Sequence, residues 1–217
     1  MRNSKVLEML NLGRIDELKK ELQDEIYQDS LKTKPGAKQR YSAMKKYFKY
    51  YKPIREVLQK PCKVEFKGGN YISFTNTWSL ALTNEDAGEI ELFDNEHTNG
   101  YGKYPDTTRL VNLDNYSGEI DINAIIAEAK AKGYKLLKNE VDFHFKYLML
   151  YDGSYYKLGL VDATFGIIND GQPVKVYKEK GDYKPLTIEN DIGVCVIMPM
   201  RLEGDPEEDG KVVIRAD

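Results

Sequence analysis

The residues best suited to acid–base, nucleophilic or metal chemistry are few in this chain and far apart in sequence. The two histidines, His97 and His144, have no ligand spacing with each other or with the two cysteines, Cys62 and Cys195. Both cysteines sit in apolar, strand-like runs without a CxxC spacing, which reads as two buried, reduced thiols. Asp162 and Asp170 could meet through folding, but no spacing singles them out. Asp94-Asn95-Glu96 and Glu203 to Asp209 match cation-binding loops in composition alone and read as solvated loops. There is no Gly-x-Ser-x-Gly, no P-loop and no dinucleotide fingerprint. The expectation is a non-enzymatic chain without metal or cofactor, with an enzyme of unfamiliar type as the third reading.

The chemistry that the sequence does offer is that of binding. From Lys38 to Lys60 stand eight basic residues, among them Arg40, Lys45, Lys46, Lys49, Lys52 and Arg55, against the single acid Glu56. From Glu203 to Asp217 stand six acids against Lys211 and Arg215. Charge segregated in this way concerns partners rather than fold, because the net charge of −3 excludes a uniformly basic nucleic-acid binder. Tyr41, Tyr47, Phe48, Tyr50 and Tyr51 interleave with the basic residues. That pattern fits phosphate contact with base stacking, and it fits equally an amphipathic helix with packed aromatics and solvated lysines. Met198 and Met200 have the same ambiguity, since methionine fills core gaps as well as lining binding surfaces.

Stepping from these residues to what must hold them, a 217-residue chain with 41% hydrophobic, 11% aromatic and 31% charged residues can build a sizeable core. Met1 to Lys5 is followed by polar residues rather than an apolar export segment, and no stretch approaches the roughly 18 apolar residues of a membrane span. A cytoplasmic protein without a membrane partner is expected.

Ile15, Leu18, Leu22 and Ile26 mark a helix over 4–29, divided at Gly13, and 38–51 resumes a helical pattern. Pro53 suits the first turn of a short helix. From Lys63 the period becomes two, with Gly68-Gly69 as the expected hairpin turn and Ile72, Phe74, Trp78, Leu80 and Leu82 on one parity. Glu89 to Leu92 continues as strand. A helix over 121–132 ends at Gly133. Six further strands are expected, over 141–145, 155–162, 165–169, 174–178, 185–189 and 193–200. The fold class is α+β dominated by antiparallel sheet, with a helix-then-strands plan occurring once from 38 to 93 and again from 139 to 202.

Pro185 to Ile188 followed by Val196-Ile197-Met198-Pro199-Met200-Arg201-Leu202 resembles the end of the bacterial DNA sliding clamp, the β subunit of DNA polymerase III. Phe143 to Tyr147, Tyr156 to Asp162 and the strand from Phe165 follow a clamp half-domain in order and spacing, and Val64 to Leu82 resembles its first sheet. Tyr104-Pro105-Asp106 through Arg109-Leu110 looks like a further clamp motif. The resemblance spans 38–202 and is strongest over 139–202. It implies a clamp-like domain with halves at about 38–95 and 139–202 joined by 96–138, preceded by a helical extension, 1–37, and followed by an acidic tail, 203–217. Clamp subunits hold three such domains, and this chain has room for about one.

The resemblance implies duplex DNA held by Arg40, Lys45, Lys46, Lys49, Lys52 and Arg55. It also implies a pocket for polymerase-type clamp-binding peptides, formed by Pro105, Arg109, Leu110, Tyr147, Thr164, Val196, Met198, Pro199, Met200 and Arg201. His144 stands where that pocket would carry a small polar residue. Encircling DNA needs several copies, so a homo-oligomer belongs to this reading. The alternative is a clamp-fold protein scaffold without DNA contact, of a kind a mobile element could carry.

Overall fold

The structure is a computed structural model that describes residues 3–50, 52–96, 100, 102–136 and 145–216. Five α-helices and ten strands follow in the order α1 (Asn3–Asn11), α2 (Ile15–Thr33), α3 (Ala37–Tyr50), β1 (Cys62–Phe66), β2 (Gly69–Thr75), β3 (Ser79–Thr83), β4 (Tyr116–Ile120), α4 (Ile122–Ala131), β5 (Tyr147–Tyr151), β6 (Ser154–Lys157), α5 (Leu158–Phe165), β7 (Val174–Tyr177), β8 (Leu186–Asn190), β9 (Gly193–Ile197) and β10 (Val212–Arg215). Single 3₁₀ turns occur at Glu56–Leu58 and Thr107–Leu110. The fold is mixed α+β around a seven-stranded sheet of order β1-β2-β3-β9-β8-β7-β4, antiparallel at every pairing.

Two meanders build this sheet, β1-β2-β3 after α3 and β7-β8-β9 after α5. They join where β3 meets β9, with Ala81 opposite Cys195 and Thr83 opposite Gly193. A side chain at Gly193 would overlap the Leu82 carbonyl, so the seam closes only around glycine. Phe74, Ala81, Ile188, Cys195 and Ile197 belong to the main core beneath the helices. Leu80, Leu82, Val194 and Val196 form a second apolar cluster, with Val64, Phe66, Tyr71, Val111 and Leu113 packed on it. The even alternation expected from Ile72 to Leu82 therefore breaks. Phe74 pairs with Ala81 and Thr75 with Leu80, so parity inverts across the 76–78 turn and places Leu80 and Leu82 on the face opposite Phe74.

A smaller sheet, β10-β5-β6, completes the fold, with β10 parallel to β5. Residues 212–215, expected in an acidic tail, are thus an integral strand carrying the buried Ile214. Helix α5 is buried nearly throughout. Its contacts reach β3, β9, β5 and β6. It replaces most of the strand expected over 155–162, of which 155–157 stay extended in β6, because a helix that is apolar on all sides lacks the 3.6 period that would reveal it; it ends at Phe165, and the strand expected over 165–169 gives way to a turn. Other corrections are local. The β1–β2 turn is Lys67-Gly68, both at positive φ, one residue before the expected pair. Residues 89–92 are irregular rather than strand, and most of the strand expected over 141–145 lies outside the described residues.

Helix α3 docks on α5 at Gly166, where an added methyl would lie 3.2 Å from Ala43 Cβ. Its first turn is held by Arg40, a correction to the sequence reading, which placed that residue on an exposed DNA-binding face. Arg40 is 1% exposed. It grips the Glu85 carboxylate through Nε (2.9 Å) and Nη2 (2.6 Å), while Nη1 donates to the carbonyls of Pro35 and Asn169. Both charges are desolvated, and the fork geometry of guanidinium satisfies carboxylate and carbonyls together.

Among the described residues no helix is long and apolar enough to cross a membrane. Asp162, on α5, accepts a hydrogen bond from Tyr134 (3.0 Å). Burial pushes its carboxyl above the usual range against the opposing pull of that bond.

Two predictions follow from these buried groups. Arg40→Ala should cost about 3–5 kcal/mol in urea unfolding by stranding Glu85, and Arg40→Lys should recover little of it; a loss under about 1 kcal/mol for Arg40→Ala would remove the clasp from the account. Asp162 binds its proton more tightly folded than unfolded, so its contribution to stability improves as pH falls through the window between its raised value and the ordinary carboxylate range of about 4. Asp162→Asn should therefore match or exceed wild-type stability at neutral pH, with wild type regaining ground on acidification. A wild type that loses ground to the variant on acidification contradicts the assignment.

Candidate functional site

The segment after β9 is stitched to both sheets. Met198 N–H donates to the Trp78 carbonyl (2.9 Å), and two residues on Met200 N–H donates to the Tyr155 carbonyl (2.8 Å). Pro199 lies between them. The segment therefore forms one wall of a groove of about 650 Å³, lined by Trp78, Phe145, Lys157, Leu160 and Met198 to Arg201. Trp78 is 56% exposed and Met198 36%, large apolar area left in water at the mouth.

The turn that presents Trp78 is rigid. Asn76 Oδ1 accepts from Trp78 N–H (3.0 Å), Ser79 N–H (2.9 Å) and Ser79 Oγ (3.2 Å), and Thr77 is held at φ 82°, a costly conformation for a β-branched residue. Ser79 Oγ accepts from Thr164 Oγ1 (2.8 Å) and shares a hydrogen bond with Tyr47 Oη (2.9 Å), a buried knot that ties β3, α5 and α3 under the turn. Burial pushes the Tyr47 phenol well above its ordinary range, so the knot stays neutral. Of the two cations that line the groove, Lys157 is buried, its Nζ 5.8 Å from the Phe145 ring centre, and Arg201 is exposed, 6.0 Å from that of Tyr183; Lys211, outside the lining, lies 4.3 Å from the Phe145 ring centre.

Of the ten residues expected at one pocket, the structure brings together Met198, Pro199, Met200 and Arg201. Thr164 is buried in the knot below. Val196 points into the cluster on the opposite sheet face. Tyr147 donates to the Lys132 carbonyl, remote from the groove lining. Pro105 lines a separate depression with Arg55 and Lys103, Leu110 borders another with Tyr177 and Lys184, and Arg109 pairs with Asp106. These expected partners belong to one motif in sequence but to the far side of the sheet in space. Trp78, Phe145, Lys157 and Leu160 were not anticipated. The one available signal was Trp78, the only tryptophan, set in a Thr-rich turn. His97 and His144 lie outside the described residues.

On α3, Lys45, Lys46 and Lys49 are exposed, as are Lys52 and Arg55 beyond it. Among the described residues none of the five forms an ion pair, whereas Lys60 pairs with Glu91. Lys45 lies over the Tyr41 ring at 4.6 Å. Among the described residues no acid of 203–209 forms an ion pair with these cations, and Glu207 pairs with Arg215. No group of three or more His, Cys, Asp or Glu among the described residues is placed to hold a metal. Asp162, the carboxylate raised by burial, lines none of the grooves described above, and Asp170 lies at a different surface depression, beside Glu189 and Asp191. In comparisons with known proteins, no family model matches the chain and no curated protein matches it.

Proposed function

We propose that the protein is a non-enzymatic, sliding-clamp-like binding module that receives a short apolar peptide segment of a partner protein in the groove between Trp78 and Met198. The observation that carries this reading is the groove itself: an exposed tryptophan held by a strained, hydrogen-bonded turn, beside a methionine-rich wall that ends in the exposed Arg201. Rigid aromatic anchors are what peptide-binding hot spots use, because little entropy is lost when they are covered. The repeated helix-then-meander plan, α3 with β1-β2-β3 and α5 with β7-β8-β9, and the Met-Pro-Met-Arg segment at the groove wall support the clamp-like part of the reading. Arg201, the exposed cation of the lining, favours peptides whose apolar residues are flanked by acids.

A second reading, duplex DNA along α3, is favoured by one observation. Five exposed cations that form no ion pair among the described residues are available to phosphate, and sequence-independent phosphate contact is what a backbone-tracking protein needs. If that face binds nothing, the groove alone describes a protein scaffold without DNA contact.

Each reading has its own measurement. Trp78 is the only tryptophan, so titrating synthetic peptides with two neighbouring large apolar residues and an acidic flank should shift its emission to the blue. Met198→Glu should abolish the shift; an emission spectrum that no such peptide moves removes the peptide reading. For DNA, anisotropy of a labelled duplex should report binding that weakens steeply with salt. It should be lost when Lys45, Lys46 and Lys49 are all changed to Glu. Absence of binding at low salt leaves the scaffold.

A further inference from the structure

Six of the twelve large apolar side chains that stand exposed among the described residues lie in the N-terminal hairpin: Leu7, Leu10, Leu12, Ile15, Leu22 and Ile26, at 39 to 70% exposure. The hairpin is closed by Arg14 N–H donating to the Met9 carbonyl, with Gly13 at φ 68°. Buried Met9 and Leu18, and Lys5 paired to Glu21 at 2.6 Å, set α1 antiparallel to α2. At 100° per residue, Ile15, Leu22 and Ile26 fall within an arc of about 40° on α2, roughly a quarter turn from the side that meets α1. Leu10, with Leu7 beside it, turns in the same sense on α1, and antiparallel packing brings both to the same face of the hairpin.

The opposite side of α2 is fastened to the body. Tyr27 donates to the Asp86 carbonyl (2.8 Å), packs edge-on against Tyr41 (5.1 Å) and lies against Gly88, where a methyl would overlap its ring. Leu31 is buried beside it. The apolar stripe therefore points away from the domain, on a helix held in place, and it goes beyond anything the groove or the lysine face requires.

We infer that this face is a homodimer interface in which α2 packs antiparallel against α2 of a second copy. A two-fold contact must be self-complementary, and this stripe is. Setting Ile15 against Ile26 of the second copy places Leu22 beside the aliphatic stem of Lys19, and the symmetry repeats both contacts. In that register Asp16 and Glu25 are level but about 180° apart around α2, so each lies on a different flank, Asp16 nearer Gln23 and Glu25 nearer Leu18. The hairpin pairs Lys5 with Glu21, Arg14 with Glu17 and Lys32 with Asp29 internally, leaving little net field to select a strongly charged partner. The five side chains on that face expose on the order of 500 Å² per copy, and doubling this reaches about the 1,000 Å² that a specific interface should clear.

The test is sedimentation equilibrium of the full chain beside disulfide trapping. Wild type should be dimeric at micromolar concentration, and Leu22→Lys with Ile26→Lys should be monomeric; both positions are exposed, so the fold has no reason to suffer. Ile15→Cys with Ile26→Cys should crosslink into dimers on mild oxidation. The two positions lie about 16 Å apart along one helix, beyond disulfide reach, and both native cysteines are buried, so the link can only join two copies. Gln28→Cys, on the opposite side of α2, should not crosslink. A wild type that stays monomeric, a dimer that survives the lysine substitutions, or a monomer that instead floats with phosphatidylcholine vesicles would overturn the inference.

Discussion

The ion pair between Arg40 and Glu85 is the constraint on which the rest of the arrangement depends. Arg40 joins three segments distant in sequence: the first turn of α3, the loop leaving β3 and the turn after α5 at Asn169. A buried guanidinium tolerates nothing less than full satisfaction, because each unpaired donor would carry its desolvation cost uncompensated. The clasp therefore sets α3 in one position on α5. With α3 set, Tyr47 arrives at Ser79 and closes the knot beneath the 76–78 turn. The exposure of Trp78 at the groove is thus decided partly by an arginine on a different helix, through a chain of hydrogen bonds and packed groups.

The same placement separates the two surfaces that binding would use. Buried positions 37, 40, 41, 44 and 47 of α3 hold the core side, and the remaining lysines are left on the outer side by the helical period. Because α5 is buried nearly throughout and carries no basic residue, the α3–α5 layer offers solvent a basic face from α3 alone. The groove lies at the ends of β3 and β9, where the two meanders meet and the chain crosses to the smaller sheet. A crossing segment bridged by single hydrogen bonds at Met198 and Met200, beyond the ends of the central strands β3 and β9, leaves side chains uncovered between the bridges, which is how apolar area comes to remain exposed in a well-packed domain.

Much of this was legible in the sequence where a pattern was periodic and local. The helices at 15–33, 37–50 and 122–131 and the strands β1, β2, β3, β7, β8 and β9 lie close to where apolar spacing put them. The elements that escaped are those whose burial is decided by tertiary structure. Helix α5 carries Leu158-Gly159-Leu160-Val161, which has no polar face because both sheets cover it. Strand β10 is short and follows an acidic loop, so only its parallel partner β5 makes it a strand. At the site, Met198 to Arg201 were expected only through the resemblance of their contiguous segment to a clamp segment, since methionine spacing by itself left core filling and binding open. Phe145, Lys157 and Leu160 come from other elements, and no spacing rule connects them. Arg40 shows the converse error, since its sequence neighbourhood is uniformly basic and only the fold reveals that one of those cations faces inward.

Charge segregation along the chain takes on a different meaning once the fold is known. A basic segment and an acidic segment in one chain could have met and cancelled, a contact that would have closed the lysine face. They do not meet, because β10 anchors the end of the acidic stretch beside β5 and Arg215 takes up Glu207. The acids of α2 are likewise engaged in part by Lys5, Arg14 and Lys32 of their own hairpin. The five exposed cations are thus left over by a system of local pairings that neutralises the surfaces around them. A field that survives such pairing falls off within about a Debye length in physiological salt, so it acts only on a polyanion brought close to α3. That geometry suits contact along an extended charged surface rather than capture of a small ion, since none of the five main surface depressions gathers three of these side chains.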